Sequence, residues 1–181
     1  MNILVSSYTE PGYAPITPIR QTDEEYGRTL QNGVLCCTDV VVIVRARKVI
    51  YLAHRRSKPM TGWWWIGGKM VPDQTLELSA VKNFQRETGL ELPVSRLQLV
   101  GFLDYRWKDR AQAPQDMGCH MMGITFVVEL TEAELLSVAA NLDPKEYQKS
   151  VGLVPFNRHQ LVEENVAPPI LKLYDHVFSN R

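Results

Sequence analysis

The sequence predicts an α/β fold in which one mixed β-sheet lies between helices, an α/β/α sandwich. Segments rich in β-branched residues alternate with segments whose apolar residues recur at helical spacing. With 181 residues, of which 45% are hydrophobic, the chain can bury one full core. We therefore expect one domain over residues 34–181, preceded by an N-terminal arm over residues 1–33.

The arm is predicted to be extended at first and helical at its end. Prolines are frequent over residues 11–18, which favours an extended chain. Thr22, followed by acidic residues up to Glu25, is typical of a capping box that begins a short helix, and this helix should end near Gly33. The arm could wrap its own domain or cross to a partner subunit, and the sequence leaves both open.

The domain itself begins with a strand. Residues 34–44 are β-branched and almost uncharged, as in a central strand buried on both faces. The longest predicted helix covers residues 74–88, where apolar residues recur every four positions; we expect Asp73 to cap its start and Gly89 its end. The remaining predicted elements are strands over 49–53, 97–107, 120–130 and 151–155, and helices beginning at Thr131, Asn157 and Pro168.

Composition limits the classes of function. The chain carries 20 Lys and Arg against 20 Asp and Glu, so no electrostatic footprint for nucleic acid is expected. Its cysteines, Cys36, Cys37 and Cys119, suit neither a disulfide framework nor a zinc site, which favours a reducing compartment. No signal-like segment and no apolar run of membrane-spanning length occurs. We expect a cytoplasmic protein that does not bind membranes.

Chemistry is predicted on the polar face of the long helix. Asn83 and Glu87 are four residues apart and therefore neighbours. Together with backbone oxygens of the Gly67–Gly68 pair, they could hold one hard divalent cation. Alternatively, Glu87 only pairs with a solvent-facing Lys or Arg. Spacing alone does not decide between these readings.

Basic and aromatic residues flank the glycine pair. Arg55 could clamp diphosphate oxygens, with Arg56 pointing to the opposite side, or the whole segment 54–58 could be a solvated turn. Lys58 and Lys69 would add charge beside the same oxygens. In the run 63–65, alternation predicts that Trp64 points opposite to the other two tryptophans and that two of the three lie in a core or an interface.

The stretch from Gly68 to Leu90 resembles a degenerate Nudix box. That pattern is a glycine, five residues, a glutamate, seven residues, Arg-Glu, an apolar residue, any residue, Glu-Glu, any residue, glycine and an apolar residue. Gly68 and Gly89 keep the spacing of the two glycines, and Glu87 is the one glutamate of four that remains. The other three glutamate positions hold different residues: Gln74, Asn83 and Arg86.

The resemblance extends to one branch of that superfamily, the GDP-mannose mannosyl hydrolases, and covers residues 34–178. That branch has a similar basic segment, glycine and aromatic pair before its Gly-Gly, and it keeps the glutamate at Glu87. The resemblance implies a Nudix-type fold. It also implies that the loop 143–149 supplies a further metal ligand, placed at Glu146, and an adjacent general base, placed at Tyr147. A tyrosine with its ordinary pKa near 10 is a poor base.

The residues and the resemblance together predict a metal-dependent hydrolase of a nucleoside diphosphate linked to another moiety, such as a nucleotide sugar. The alternative is a decayed site that binds or senses nucleotides. We expect Mg²⁺ or Mn²⁺ as cofactor, a homodimer, and a small nucleotide as ligand. Predicted roles are catalytic for Glu87, Arg55 and Tyr147, substrate-binding for Arg55, Lys58, Lys69 and Tyr105, and metal-ligating for Gly67, Glu87 and Glu146.

Overall fold

The structure is a computed structural model that describes residues 5–179. Residues 1–4 of the predicted arm and residues 180–181 of the predicted domain lie outside this range. The helices are α1 Asp23–Asn32, α2 Leu76–Thr88, α3 Glu132–Asn141, α4 Arg158–Glu163 and α5 Pro168–Ser179. The strands are β1 Leu35–Val44, β2 Val49–Arg55, β3 Gly62–Trp64, β4 Ile66–Lys69, β5 Gln98–Trp107, β6 Cys119–Glu129 and β7 Leu153–Phe156.

The strands form one mixed sheet. Its main path runs β3, β2, β1, β6, β5, with β4 paired to β1 and β7 paired to β2. β1 and β6 are parallel, and the other pairs are antiparallel. The predicted mixed α/β fold is therefore confirmed.

Helices cover both faces of the sheet because the central strand is apolar on both faces. In β1, Val40 and Val42 pack with α2 and α3, whereas Val41 and Ile43 pack with α4 and α5. All four side chains are buried. Successive side chains of a strand point to opposite faces, so an uninterrupted apolar run becomes the centre of a three-layer sandwich.

The long helix α2 has the predicted end and a different start. Gly89 adopts the left-handed conformation with φ 71°, and its N–H donates to the Gln85 carbonyl at 2.8 Å, as a C-terminal cap should. The prediction that Asp73 caps the start is wrong, because Thr75 is the N-cap and accepts from the Leu78 N–H at 3.2 Å. A shorter side chain placed one residue before the helix is better positioned for the free amides.

Asp73 instead holds the arm. Its carboxylate accepts from the Tyr13 hydroxyl at 2.6 Å and from the Ile16 N–H. The arm thus lies against the turn before α2 of its own domain. Its helix α1 begins with the predicted capping box, in which Thr22 and Glu25 bond reciprocally.

The predicted alternation of the tryptophans is wrong. Trp64 and Trp65 belong to the same apolar cluster, with ring centroids 4.5 Å apart, because the strand is interrupted at Trp65 between β3 and β4. Trp64 and Trp65 are buried, and the half-buried Trp63 packs against the same cluster through Phe156, so two of the three are core residues as expected. Over residues 5–179, none of the helices has both the length and the apolar character needed to span a membrane.

Candidate active site

A cavity of about 370 Å³ opens where β1, β2, β4, β5 and α2 meet. It contains seven of the residues assigned to the site from sequence: Arg55, Lys58, Gly67, Lys69, Glu87, Tyr105 and Glu146. The eighth, Tyr147, lies behind Glu87 with 1% of its surface exposed. The glycine loop, the basic segment and the loop before β7, which are far apart in sequence, therefore converge on one space.

Asn83 ties α2 to the glycine loop. Its amide nitrogen donates to the Gly68 carbonyl at 2.9 Å, to the Lys69 carbonyl at 3.2 Å and to Oγ1 of Thr38 at 3.0 Å. Its oxygen accepts from Nη2 of Arg86 at 3.2 Å. Asn83 is buried because this part of the polar face of α2 packs against β4. The asparagine fixes the backbone of the loop, and its oxygen faces a guanidinium.

Glu87 is a buried carboxylate at the inner wall of the cavity. Only 2% of the residue is exposed, and Nη2 of Arg86 donates to Oε1 at 2.9 Å while the Tyr147 hydroxyl donates to Oε2. Burial raises the pKa of Glu87, and the hydrogen bond from Tyr147 and the charge of Arg86 oppose that rise. Glu87 does pair with a cation, as the simpler reading expected, but it does so inside the site.

Tyr147 does not have the geometry of a general base. It is buried, it uses its hydroxyl hydrogen on Glu87, and burial together with the Glu87 charge raises its pKa well above the ordinary value. A phenolate at this position would be buried and would face a carboxylate. The assignment of Tyr147 as a base is therefore corrected: this side chain orients Glu87.

Arg55 and Glu146 form a second pair on the cavity wall. Nη2 of Arg55 lies 3.2 Å from Oε2 of Glu146 and 3.2 Å from Oγ of Ser57, whose hydroxyl also donates to Glu146. Nε of Arg55 is buried and has no partner among residues 5–179. Arg56 is exposed, as strand alternation predicted. The pair leaves Arg55 with donor capacity for a ligand.

Two lysines complete the basic lining. Lys58 lies with Nζ 3.6 Å from Oδ2 of Asp109. Lys69 places Nζ 4.3 Å from the ring centroid of Tyr26, a residue of α1 that also lines the cavity. The N-terminal helix thus forms part of the wall, which the sequence did not reveal because nothing in α1 resembles a binding motif.

Asp39 is a site residue that sequence reasoning missed. It lies on β1, is 5% exposed, and accepts at Oδ2 from the Tyr105 hydroxyl at 3.0 Å. Burial raises the pKa of Asp39 to about 6, against the opposing hydrogen bond from Tyr105. The signal was present, since Asp39 is the one charged residue of an apolar strand that is buried on both faces. Tyr105 lines the cavity and positions this carboxylate.

The oxygen donors fit one substrate-associated cation better than a preassembled metal centre. Within residues 5–179, no group of three acidic, histidine or cysteine side chains is arranged to hold a metal ion. Glu87, Glu146 and Gly67 nevertheless line the same cavity. Mg²⁺ commonly binds through one or two carboxylates plus phosphate oxygens of the substrate. This donor set matches that mode of binding.

Comparisons with known proteins agree with the fold. The family model described as NUDIX domain matches residues 37–176. A MutT NUDIX hydrolase from Burkholderia pseudomallei is similar in structure, with TM-score 0.56 and 15% identity, covering 79% of this chain and 96% of that one. The MutT protein from Methanosarcina mazei Go1 gives TM-score 0.56 and 13% identity, covering 83% and 96%.

A third similar structure is that of a complex with a nucleotide ligand. The NUDIX domain of Shewanella oneidensis NrtR, described as complexed with ADP ribose, gives TM-score 0.53 and 13% identity and covers 83% of this chain and 95% of that domain. At such identities these likenesses show the fold.

Proposed function

Because this chain belongs to the NUDIX domain family, we propose that it is a metal-dependent hydrolase of a nucleoside diphosphate linked to another moiety, with nucleotide sugars such as GDP-mannose as the substrate class. The observation that carries the proposal is the convergence of Glu87, Glu146 and Arg55 on one cavity wall. Carboxylates for a cation and a guanidinium for phosphate oxygens are the two requirements of diphosphate binding.

The cation would be Mg²⁺ or Mn²⁺, held by Glu87, Glu146 and the Gly67 carbonyl. When bound, it would neutralise charge on the diphosphate leaving group. Arg55 binds diphosphate oxygens through its free donors, and Lys69 adds a point charge from β4. Burial alone would lower the pKa of Arg55, but the effects of Tyr147, Glu146 and Glu87 are together larger and raise it above the ordinary value. Arg55 therefore stays charged.

The bond broken is proposed to be the one at the sugar carbon. Attack at phosphorus in carboxylate-rich sites relies on several cations, whereas here Arg86 stands between Asn83 and Glu87 and repels a second one. In this step the oxygen of water bonds to the sugar carbon as the bond from that carbon to the diphosphate oxygen breaks. The nucleoside diphosphate leaves with the electron pair, which the cation and Arg55 neutralise, and the proton of the attacking water passes to solvent. The products should therefore be free sugar and intact nucleoside diphosphate.

A screen of nucleotide sugars and dinucleotides with Mg²⁺ or Mn²⁺ in ¹⁸O water tests this proposal. We expect ¹⁸O in the sugar and loss of turnover in Glu87→Gln, with Glu91→Gln, an exposed residue just beyond α2, as the control. Label in a phosphate would move the attack to phosphorus. Activity that survives in Glu87→Gln would remove this residue from the metal site.

A second function is favoured by one specific observation. Tyr147 stands at the position proposed for the base, and its proton is committed to Glu87. A site without a base could bind nucleotides without turning them over, and the similar NUDIX domain of NrtR is described with ADP ribose bound. Measurable binding of ADP-ribose or a nucleotide sugar, with no product in any arm of the screen, would support this binding function.

A further inference from the structure

The loop between β5 and β6, residues 108–118, places a buried arginine at the cavity. Arg110 is 1% exposed and lines the same cavity as Glu87 and Arg55. It comes from a polar stretch that the sequence predicted to be an ordinary loop. A buried guanidinium is costly unless its charge and its donors are satisfied.

The loop's own backbone occupies one edge of this guanidinium. Nε donates to the carbonyls of Gln112 at 3.3 Å and Pro114 at 3.2 Å, and Nη2 donates to the Ala113 carbonyl at 3.4 Å. Nη1 is buried and has no hydrogen-bond partner within the described part of the chain. One donor group of Arg110 is therefore left for something that is not part of the loop.

No carboxylate neutralises Arg110 within residues 5–179. Its sequence neighbour Asp109 is the nearest acidic residue along the chain, and Asp109 pairs with Lys58 at 3.6 Å. The charges of Lys58 and Asp109 cancel formally. The positive charge of Arg110 is therefore left uncompensated at this end of the cavity. An anionic ligand would supply both the missing charge and the missing acceptor.

The N-terminal helix holds the loop in this position. A Cβ added to Gly27 of α1 would meet the Ala113 carbonyl oxygen at 2.2 Å, so α1 packs directly on the backbone that binds Arg110. Glycine is required there by close approach. The guanidinium is thus fixed by the fold, which favours a prearranged binding group over a side chain that swings in solvent.

The subsite lies away from the Glu87 end of the cavity. The loop that carries Arg110 follows Trp107, which pairs with Cys119 at the start of β6. By contrast, a Cβ on Gly123 would touch Oδ2 of Asp39, and Asp39 pairs with Gly67 of the glycine loop. Four residues of strand separate Cys119 from Gly123, about 13 Å. A substrate whose diphosphate lies near Glu87 and Arg55 would therefore extend its linked moiety toward Arg110.

We propose that Arg110 forms an anion subsite that recognises a carboxylate or phosphate on the part of the substrate beyond the diphosphate. This inference rests on the proposed function. It narrows the substrate class from nucleotides linked to a neutral sugar to nucleotides whose linked moiety is acidic or phosphorylated. Carboxylate and phosphate share the chemistry that matters here, anionic oxygens that accept from a guanidinium.

Binding of two matched ligand pairs tests the subsite. UDP-glucuronate against UDP-glucose probes a carboxylate on the linked sugar, and ADP-ribose 1″-phosphate against ADP-ribose probes a phosphate on the linked ribose. Trp64 and Trp107 line the cavity, so quenching of tryptophan fluorescence reports binding without requiring turnover. We expect the member of one pair that carries the additional carboxylate or phosphate to bind about tenfold or more tighter than the member without it, as a charge-assisted hydrogen bond provides.

Substitutions test whether Arg110 causes the tighter binding of the ligand with the additional anionic group. Arg110→Gln should reduce this preference to near unity, and Arg110→Lys should weaken it because an ammonium lacks the fork that holds the carbonyls and a ligand together. Gly27→Ala should weaken it by displacing the loop. Arg106→Gln, an exposed arginine at the end of the same strand β5, should leave it unchanged. Thermal melts identify variants that fail to fold.

The outcomes separate this subsite from the catalytic proposal. Equal affinities of the wild-type protein within both pairs would overturn the subsite, whatever the variants do, and so would a preference that persists in folded Arg110→Gln. An Arg110-dependent preference without hydrolysis of any compound would sustain the subsite and overturn the hydrolase proposal. Hydrolysis of any compound, together with equal affinities in both pairs, would sustain the hydrolase proposal and overturn the subsite.

Discussion

The Tyr147 hydroxyl donates its hydrogen to Oε2 of Glu87 across 60 residues of sequence, and 1% of Tyr147 and 2% of Glu87 are exposed. This contact joins the loop before β7 to the long helix α2. It also affects the pKa of the buried carboxylate. The hydrogen bond opposes the effect of burial on the pKa of Glu87. The hydrogen bond from Tyr147 therefore favours the ionised form of Glu87.

Tyr147→Phe should therefore change the pH profile of activity. Without the donor the pKa of Glu87 rises further, so kcat/KM should fall more at pH 6 than at pH 8. The free energy of unfolding should fall by about 1 kcal/mol for the lost hydrogen bond. If Tyr147 were the base, the loss would instead be larger at pH 8 than at pH 6, because the active phenolate form becomes more populated as pH rises.

Tyr174→Phe is the matched control for that variant. The Tyr174 hydroxyl donates to the Lys48 carbonyl at 2.7 Å in the other apolar cluster. Its removal should have a similar cost in stability and leave the pH profile of kcat/KM unchanged. A profile that shifts equally in both variants would show that the effect is not specific to Glu87.

Asp39→Asn should stabilise the protein at alkaline pH. The folded pKa of about 6 lies above the ordinary value of 3.8, so the folded state binds this proton more tightly than the unfolded state. Stability then falls as pH rises from 3.8 to about 6, and above that window ionised Asp39 costs on the order of 3 kcal/mol. The gain of Asp39→Asn in denaturant melts should be largest at pH 8 and small at pH 4.

The pKa of Asp175 is shifted in the opposite direction to that of Asp39, so the effect of its substitution on stability should also be opposite. This exposed carboxylate accepts from Arg158, which lowers its pKa, so Asp175→Asn should not stabilise at pH 8. A gain in Asp39→Asn that does not depend on pH would mean that the substitution acts by packing and not by removing a buried charge.

Arg55→Gln and Arg56→Gln should differ strongly in activity. Arg55 faces the cavity and contacts Glu146, whereas Arg56 is exposed. Loss of a charge-assisted phosphate contact should lower kcat/KM by about tenfold to a hundredfold for Arg55→Gln. Arg56→Gln should change it by less than about twofold. Equal losses would mean that the segment acts only as a diffuse cationic surface.

Asp73→Gly and Thr75→Ala should separate the arm from the helix cap. Thr75→Ala removes the N-cap and should lower the free energy of unfolding by about 1 kcal/mol. Glycine suits the φ of 63° at Asp73, so Asp73→Gly removes only the contacts to Tyr13 and Ile16. Limited proteolysis within residues 5–21 should then be faster. Unchanged cleavage would show that other contacts hold the arm.

Much of the secondary structure could be predicted from residues that are neighbours in the sequence. The capping boxes at Thr22 and Thr131, the left-handed glycine at Gly89 and the apolar run of β1 each depend on neighbouring residues, so their elements were predicted correctly. Asp73 was misassigned because an acidic residue before a helix suits both a cap and a turn. Only the contact with the arm distinguishes them.

The sequence by itself predicted the mixed α/β class, most of the helices and strands, and seven residues that line one cavity, because spacing and residue type are properties of the chain. Tertiary structure alone decided what those residues touch. Burial raises the pKa of Asp39 to about 6, the Tyr147 hydroxyl donates a hydrogen bond to Glu87, and Nη1 of Arg110 has no partner in the described residues. These effects arise from desolvation and from contacts between distant segments, and neither is encoded in local sequence.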